Sequence, residues 1–307
     1  VQMGPVLDGV SDYMEKQPEK YGFRVSNEFF ADVVKVLKDS NADILINYLP
    51  VGSQEATEFY AQCAVDAGIS FLNCIPVLTI NNMEWETKFI NAGIPYIGSD
   101  MKSQMGASII SQMLQELAFD RGMEVDYHQQ LNVGGNTDFN NMMVQKRLKH
   151  KKVSKENVIR AQNDIRDIPV NDDALFAGPS TFIPYLKDNK QAYFDIRLRG
   201  FGGAPVTIDC KLSVQDSENS AGVVIDAIRY LKVARELGIM GILRGPSGLF
   251  MKTPPKQFTF EDSMYECELL ARRELSDNTR RQLTREEALY FMTEEYNDGG
   301  MKYLDLL

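Results

Sequence analysis

Apolar and polar positions alternate in two rhythms along the first hundred residues. Residues 28–38 (EFFADVVKVLK) carry apolar side chains at helical spacing, and Asp43–Asn47 (DILIN) then shortens to the pattern of a buried strand. After YLPVGS, the run EATEFYAQCAVDAG returns to helical spacing and closes on Gly68. ISFLNCIP reads as the next strand, MEWETKFINAG as a helix closed by Gly93, and PYIG as a third strand. Strand, helix, strand, helix, strand at this spacing predicts a parallel sheet with crossover helices. In such sheets ligands sit beyond the carboxyl ends of the strands, which sets Asn47–Gly52, Asn73–Pro76 and Gly98–Ser103 along one rim.

The rhythm then changes. Residues 102–121 read as a helix ending before Gly122, and VDYHQQLNV alternates like a strand before GGNTDFNN, a Gly-rich polar turn. AYFDIRLRGFGG and VTIDCKLSV read as two antiparallel strands with a Gly-rich connection. A long helix, SAGVVIDAIRYLKVARELG, follows Asp216, and the charged tail from Phe260 is helical in character. Thr284 and Glu287 give its last helix a capping-box signal. The order is α/β, then α+β, then helices.

Composition narrows the function classes. The 307 residues are 44% hydrophobic and 25% charged, which suits one or two domains with a substantial core. The sequence shows neither an apolar run of membrane-spanning length nor a signal peptide, so a cytoplasmic protein without a membrane role is expected. Cys63, Cys74, Cys210 and Cys267 are scattered, as thiols of a reduced compartment are. The chain opens on Val1 in mid-pattern, so an upstream segment is expected. The net charge is -10, yet six of the ten residues in Lys146–Lys155 (KRLKHKKVSK) are basic. Without those six, the 33 basic residues drop to 27 against 43 acidic ones. A surface that acidic is a poor nucleic-acid binder, and the stretch lacks interleaved aromatics for stacking bases. One cationic patch suits a small anion better, although a solvated helix end or loop is the plainer reading.

Only His128 and His150 are present, so acid-base chemistry would fall mostly to Lys, Asp, Glu or Tyr. Lys151 and Lys155 stand four apart and would share a helix face, where crowding lowers an ammonium pKa. GSDMKSQMGAS could hold a phosphate or nucleotide on backbone N–H groups, with Asp100 accepting from a cofactor; equally, Asp100 or Ser103 could be a helix N-cap. GGNTD could be only a turn, and Asp216-Ser217 only a cap. Lys190 and Lys252 are unremarkable by pattern.

Taken together, LPVGSQEATEFYAQCAVDAGISFLN, GSDMKSQMGAS, LNVGGNTDFNN, KKVSK, DSENSAGVVIDA and GLFMKTPP occur in that order. From about residue 1 to about residue 258 the chain closely resembles the myo-inositol-1-phosphate synthase family of the bacterial and archaeal type. The resemblance implies an α/β fold: a truncated Rossmann-like NAD-binding domain with an inserted α+β catalytic and tetramerisation domain. The domains would be residues 1–99, then 100–252, then a helical segment 253–307 returning to the NAD-binding domain. The family's Gly-rich pyrophosphate loop and its following acidic residue would lie upstream of Val1.

The implied activity converts glucose 6-phosphate to inositol 1-phosphate (1D-myo-inositol 3-phosphate). Carbon 5 is oxidised, carbon 6 enolises, an intramolecular aldol reaction closes the ring, and the ketone is reduced, with NAD regenerated. The resemblance places Lys151 to move the carbon 5 hydroxyl proton, and Lys155, Lys190 and Lys252 on phosphate or oxyanions. It places Asp100, Ser103, Asp216 and Ser220 near the NAD. Asn136 and Asp138 belong to its Asn-rich turn, where Thr137 replaces the family's middle residue, and Leu49 and Pro50 line the cofactor through their backbone. It also implies a homotetramer built on the AYFDIRLRG and VTIDCKLSV strands. A divalent cation assists some members, with no ligand cluster readable here. A non-catalytic binding or assembly module and a simple NAD-dependent dehydrogenase are the alternatives. Retention of the four lysines with Asp100 and Asp216 favours the isomerase.

Overall fold

The computed structural model of the chain describes residues 2–10, 12–18, 22, 24–142, 159–166, 168, 169 and 172–274. The chain divides into two compact units, Val1–Met101 with Val224–Leu307, and Lys102–Val223.

The first unit is built on a parallel sheet. In chain order its strands are β1 (Ile44–Asn47), β2 (Ser70–Asn73), β3 (Pro95–Ile97) and, after the four strands of the second unit, β8 (Gly241–Ile242). They lie in the order β1-β2-β3-β8, every neighbour parallel. The connections are the helices Gln54–Ala67 and Met83–Ala92. Both end where the sequence places a glycine: Gly68 at φ 71° and Gly93 at φ 70° adopt the left-handed conformation that caps helix carbonyls. Asn82 accepts the Trp85 N–H at 3.0 Å and starts the second of them. Ala61, Ala64, Phe71, Trp85, Phe89, Tyr96 and Ile242 are buried between helices and sheet. Phe89 stacks on Tyr96 with ring centroids 4.2 Å apart, and burying such a ring contributes about 2–3 kcal/mol.

The helix expected over 28–38 is shorter than its pattern. It spans Val33–Asp39 and is capped by Asp32, leaving Phe29 and Phe30 exposed. The two-residue β8 and the helix Arg244–Phe250 have no sequence signal.

The second unit is α+β. Its strands β4 (Glu124–Gly134), β5 (Leu175–Phe182), β6 (Asn189–Arg199) and β7 (Pro205–Gln215) lie in the order β5-β4-β6-β7. β6 is antiparallel to both β4 and β7, as the two alternating runs predicted for the latter pair, while β5 pairs parallel to β4. The helix Ala107–Asp120 packs on the sheet through Ala107 against Ala192 and Phe194, and through Ala118 against Ile196 and Leu198.

That helix starts five residues later than its pattern suggested. Residues before Gly106 form a turn pinned by Asn219, whose side chain accepts the Met105 N–H at 3.0 Å and donates to the Met105 carbonyl at 2.7 Å. The polar turn GGNTDFNN is also more ordered than expected, because it holds a short helix, Thr137–Asn141, capped by Asn136. The long helix Asp216–Glu236 is as expected, and the tail from Phe260 begins with the helix Phe260–Arg272. Thr284 and Glu287 lie outside the described residues. Among the described residues, no helix is long and apolar enough to cross a membrane.

Candidate active site

In the first unit the rim at the carboxyl ends of the parallel strands is a chain of buried amides. Asn47 ends β1 and Asn73 ends β2, and register pairs them directly. Asn47 Nδ2 donates to Asn73 Oδ1 and to Thr57 Oγ1, both at 2.9 Å. Asn73 Nδ2 donates to Ser99 Oγ at 2.8 Å and to the Val77 carbonyl at 3.1 Å. Ser99 Oγ donates to Asn81 Oδ1 at 2.8 Å, and Asn81 Nδ2 donates to the Thr253 carbonyl at 2.8 Å. Each of these residues is buried, and a buried amide is tolerated only when its donors and acceptors are satisfied. Asn47 also shapes the loop after β1, since its Oδ1 accepts the Leu49 N–H at 3.1 Å. Leu49 and Pro50 therefore sit on a fixed backbone.

The relay ends beside a charged pair. Ser99 and Thr253 exchange backbone hydrogen bonds at 3.2 Å each way, so the next residue of one and the preceding residue of the other lie side by side. These are Asp100 and Lys252. Lys252 Nζ donates to Asp100 Oδ1 at 2.8 Å and to the Met101 carbonyl at 3.0 Å. The Asp100 side chain is only 2% exposed and that of Lys252 12%. Asp100 holds φ at 62°, a region that Asp tolerates better than most residues. It caps no helix: the helix Ala107–Asp120 has Gly106 at its N-cap and no side-chain cap there, so the capping reading of Asp100 and Ser103 falls. Ser103 lies in the turn against Gly106.

The second unit carries another lysine–aspartate couple. Lys190 Nζ donates to Asp216 Oδ1 at 2.5 Å, with both side chains less than a fifth exposed. Asn136 Nδ2 donates to Asp216 Oδ2 at 3.2 Å and to Asp188 Oδ1 at 3.3 Å. Asp188 also accepts from the Ser217 hydroxyl at 2.7 Å and from the Ser217 N–H at 2.8 Å. Sequence reasoning did not single out Asp188, yet it ties Asn136 to the start of the helix Asp216–Glu236. Burial pushes its carboxyl up, but the bonds from Ser217 and Asn136 outweigh this and hold it below the usual carboxylate range. Asn136 spends its acceptor on the Phe139 N–H at 3.2 Å, Asp138 lies in the first turn of the helix that Asn136 caps, and Ser220 donates to the Ser217 carbonyl at 2.9 Å.

Lys151 and Lys155, with the rest of the cationic stretch, lie outside the described residues. Two other groups are removed from acid-base chemistry near neutrality by burial. His128, fully buried on β4 with Nε2 2.9 Å from Ser111 Oγ, is pushed down to about 4 and stays neutral. The Cys74 thiol is pushed up to about 12. Among the described residues no group of three or more His, Cys, Asp or Glu side chains is arranged to hold a metal ion.

Comparison with known proteins agrees with this architecture. A family model described as myo-inositol-1-phosphate synthase matches residues 106–217. The chain is 45% identical over 269 residues to the inositol-3-phosphate synthase of Mycolicibacterium smegmatis, covering 87% of this chain and 73% of that protein. It is likewise 45% identical to the inositol-3-phosphate synthase of Corynebacterium glutamicum, over 84% of this chain and 70% of that protein. Among solved structures, Ari2 superposes with a TM-score of 0.62 at 33% identity, over 87% of this chain and 72% of that one. A myo-inositol-1-phosphate synthase-related protein from Thermotoga maritima shares the fold, with a TM-score of 0.67 at 21% identity over 78% of this chain and 68% of that one. With its parallel sheet, its α+β unit and relatives this similar over more than two thirds of their length, the chain belongs to the myo-inositol-1-phosphate synthase family.

Proposed function

We propose that the protein is an isomerase converting D-glucose 6-phosphate to 1D-myo-inositol 3-phosphate by NAD-dependent oxidation, enolisation, intramolecular aldol closure and reduction. The observation that carries this reading is that two lysines without any pattern signal, Lys252 and Lys190, each hold a carboxylate, Asp100 and Asp216, that the family resemblance also nominates. The residues present fit a dinucleotide. The carboxyl ends of three parallel strands converge on one rim, Leu49 and Pro50 offer fixed backbone there, and Asp100 is an acceptor for an amide or hydroxyl. Ser103, Asn136, Asp138, Asp216 and Ser220 are further polar groups for the cofactor. NAD, when bound, supplies reversible hydride acceptance from a carbinol carbon.

The rest is the work of side chains. Lys252 and Lys190, as ammonium groups held by carboxylates, stabilise negative charge on phosphate or on oxygens that become anionic during enolisation and ring closure. Lys151, by the family resemblance, moves the carbon 5 hydroxyl proton. A divalent cation belongs to this reading as a partner of the substrate phosphate, since hard cations at phosphates need few protein carboxylates. A homotetramer formed through β6 and β7 belongs to it as well, supported by Tyr127, Phe176 and Tyr193, which are at least 40% exposed on the same sheet. A cytoplasmic setting is supported by the free thiols.

The test is to incubate the full natural polypeptide with glucose 6-phosphate and NAD. Inositol monophosphate is expected without net NADH. Accumulating NADH would point to a dehydrogenase, and neither product to a non-catalytic module.

A further inference from the structure

Asn73 and Asn81 bond to the residues next to the Asp100–Lys252 pair in the chain, Ser99 and Thr253. Asn73 is fully committed: its Oδ1 accepts from Asn47 Nδ2 at 2.9 Å and from the Ile75 N–H at 3.4 Å, while its Nδ2 serves Val77 and Ser99. Ser99 is the node, accepting from Asn73 and donating to Asn81. Asn81 reaches the Thr253 carbonyl, 172 residues away in the chain. The two backbone positions clamped in this way, Ser99 and Thr253, directly adjoin Asp100 and Lys252. A lysine ammonium on four rotatable bonds reaches a fixed point only if its backbone is fixed, and Asp100 sits in a conformation that needs support from its surroundings.

We propose that Asn73 and Asn81 are positioning residues that hold Asp100 and Lys252 in register through Ser99 and Thr253, an inference that rests on the function proposed above. The relay sets the distance between a carboxylate placed on the cofactor and an ammonium placed on the substrate.

The experiment compares Asn73→Asp, Asn81→Asp and Ser99→Ala with Glu86→Gln in the full natural polypeptide. The two aspartates replace amide donors by oxygens, and Ser99→Ala removes the node with the smallest change in volume. Glu86 is a buried carboxylate of the same unit that accepts the Ile242 N–H at 3.0 Å, off the relay. The relay variants should lose about 10- to 100-fold in kcat, with KM for glucose 6-phosphate within about three-fold of wild type. Glu86→Gln should keep its kcat even where its thermal stability falls as far. Should the aspartate variants fail to fold, Ser99→Ala decides. Unchanged kcat in Ser99→Ala, or an equal loss in Glu86→Gln at equal loss of stability, would overturn the positioning role. A wild type that forms no inositol phosphate overturns the proposed function and this inference with it, whereas an active wild type with unchanged variants overturns the relay alone.

Discussion

The two lysine–aspartate couples use the same chemical pair on different supports. Lys252–Asp100 is held by paired backbone segments and by a relay of neutral amides inside the first unit. Lys190–Asp216 is held by side chains at a strand start and a helix start, with the carboxylate Asp188 as its hub. A neutral buried relay carries no charge to titrate and is costly to interrupt. A carboxylate hub is cheaper to build near the surface, but it depends on pH and weakens by degrees. The two couples should thus respond alike when the lysine is removed and differently when its support is.

The largest effect should be shared. Lys252→Ala and Lys190→Ala should each lower kcat by about 10²- to 10⁴-fold, the range for removal of an acid-base or oxyanion-stabilising group. Turnover of inositol phosphate measures it, and near-normal activity in either variant would remove that lysine from the mechanism. Stability should then separate the couples. Asp100→Ala strips the carboxylate from an ammonium only 12% exposed and should cost about 3–5 kcal/mol, as breaking a buried pair does. Asp216→Ala, in the more open couple, should cost about 1–2 kcal/mol. Urea unfolding gives both numbers, and equal costs would break the distinction drawn between the supports.

A further difference concerns acid. The second unit contains His128, buried and neutral, with Nδ1 lacking a hydrogen-bond partner among the described residues. Burial lowers its folded pKa to about 4 from 6.5. The unfolded chain therefore binds the proton first as pH falls, and stability is lost between about pH 6.5 and pH 4. The full shift is worth up to about 3 kcal/mol. Urea midpoints at neutral pH and near pH 4.5 should show this loss, and His128→Gln should flatten it. A His128→Gln protein with unchanged acid sensitivity would place the titrating group elsewhere.

How much of this could be read in advance depended on sequence distance. The rim was legible because apolar runs, helical spacing and the closing glycines Gly68 and Gly93 are local signals. Asn47 and Asn73 lay on that predicted rim, but nothing local says that an asparagine at a strand end will bond across strands rather than face solvent. Asn81 and Thr253 are joined over 172 residues, beyond any periodicity. Lys190 and Lys252 were visible only through family resemblance, because a lone lysine has no spacing to betray it. Asp188 escaped altogether: between Lys187 and Asn189 it looks like part of a solvated turn, and its partners Ser217 and Asn136 come from 29 and 52 residues away. The late start of the helix at Ala107 has the same origin, since Asn219 holds the preceding turn from 114 residues downstream.

Asp188 supplies the smallest and most diagnostic test. Asp188→Asn keeps the side chain's shape and one acceptor oxygen, but removes the charge and turns the other acceptor into a donor, which Ser217 or Asn136 then opposes. Loss of one such bond should cost about 1 kcal/mol, and kcat should fall only about three- to ten-fold because Lys190 still meets Asp216 directly. The carboxyl's depressed pKa fixes the sign with pH: its contribution is present above the ordinary carboxylate pKa of 3.8 and is lost as pH falls through the lower folded value. Wild type and Asp188→Asn should therefore differ at neutral pH and converge in strong acid. The first unit's relay has no corresponding behaviour, since no member of it titrates, so Ser99→Ala should stay apart from wild type by the same margin down to the pH at which the protein unfolds. If Ser99→Ala also converged with wild type in acid, the relay would be sensing a charge after all, and the contrast between a neutral and a charged support would have to be given up.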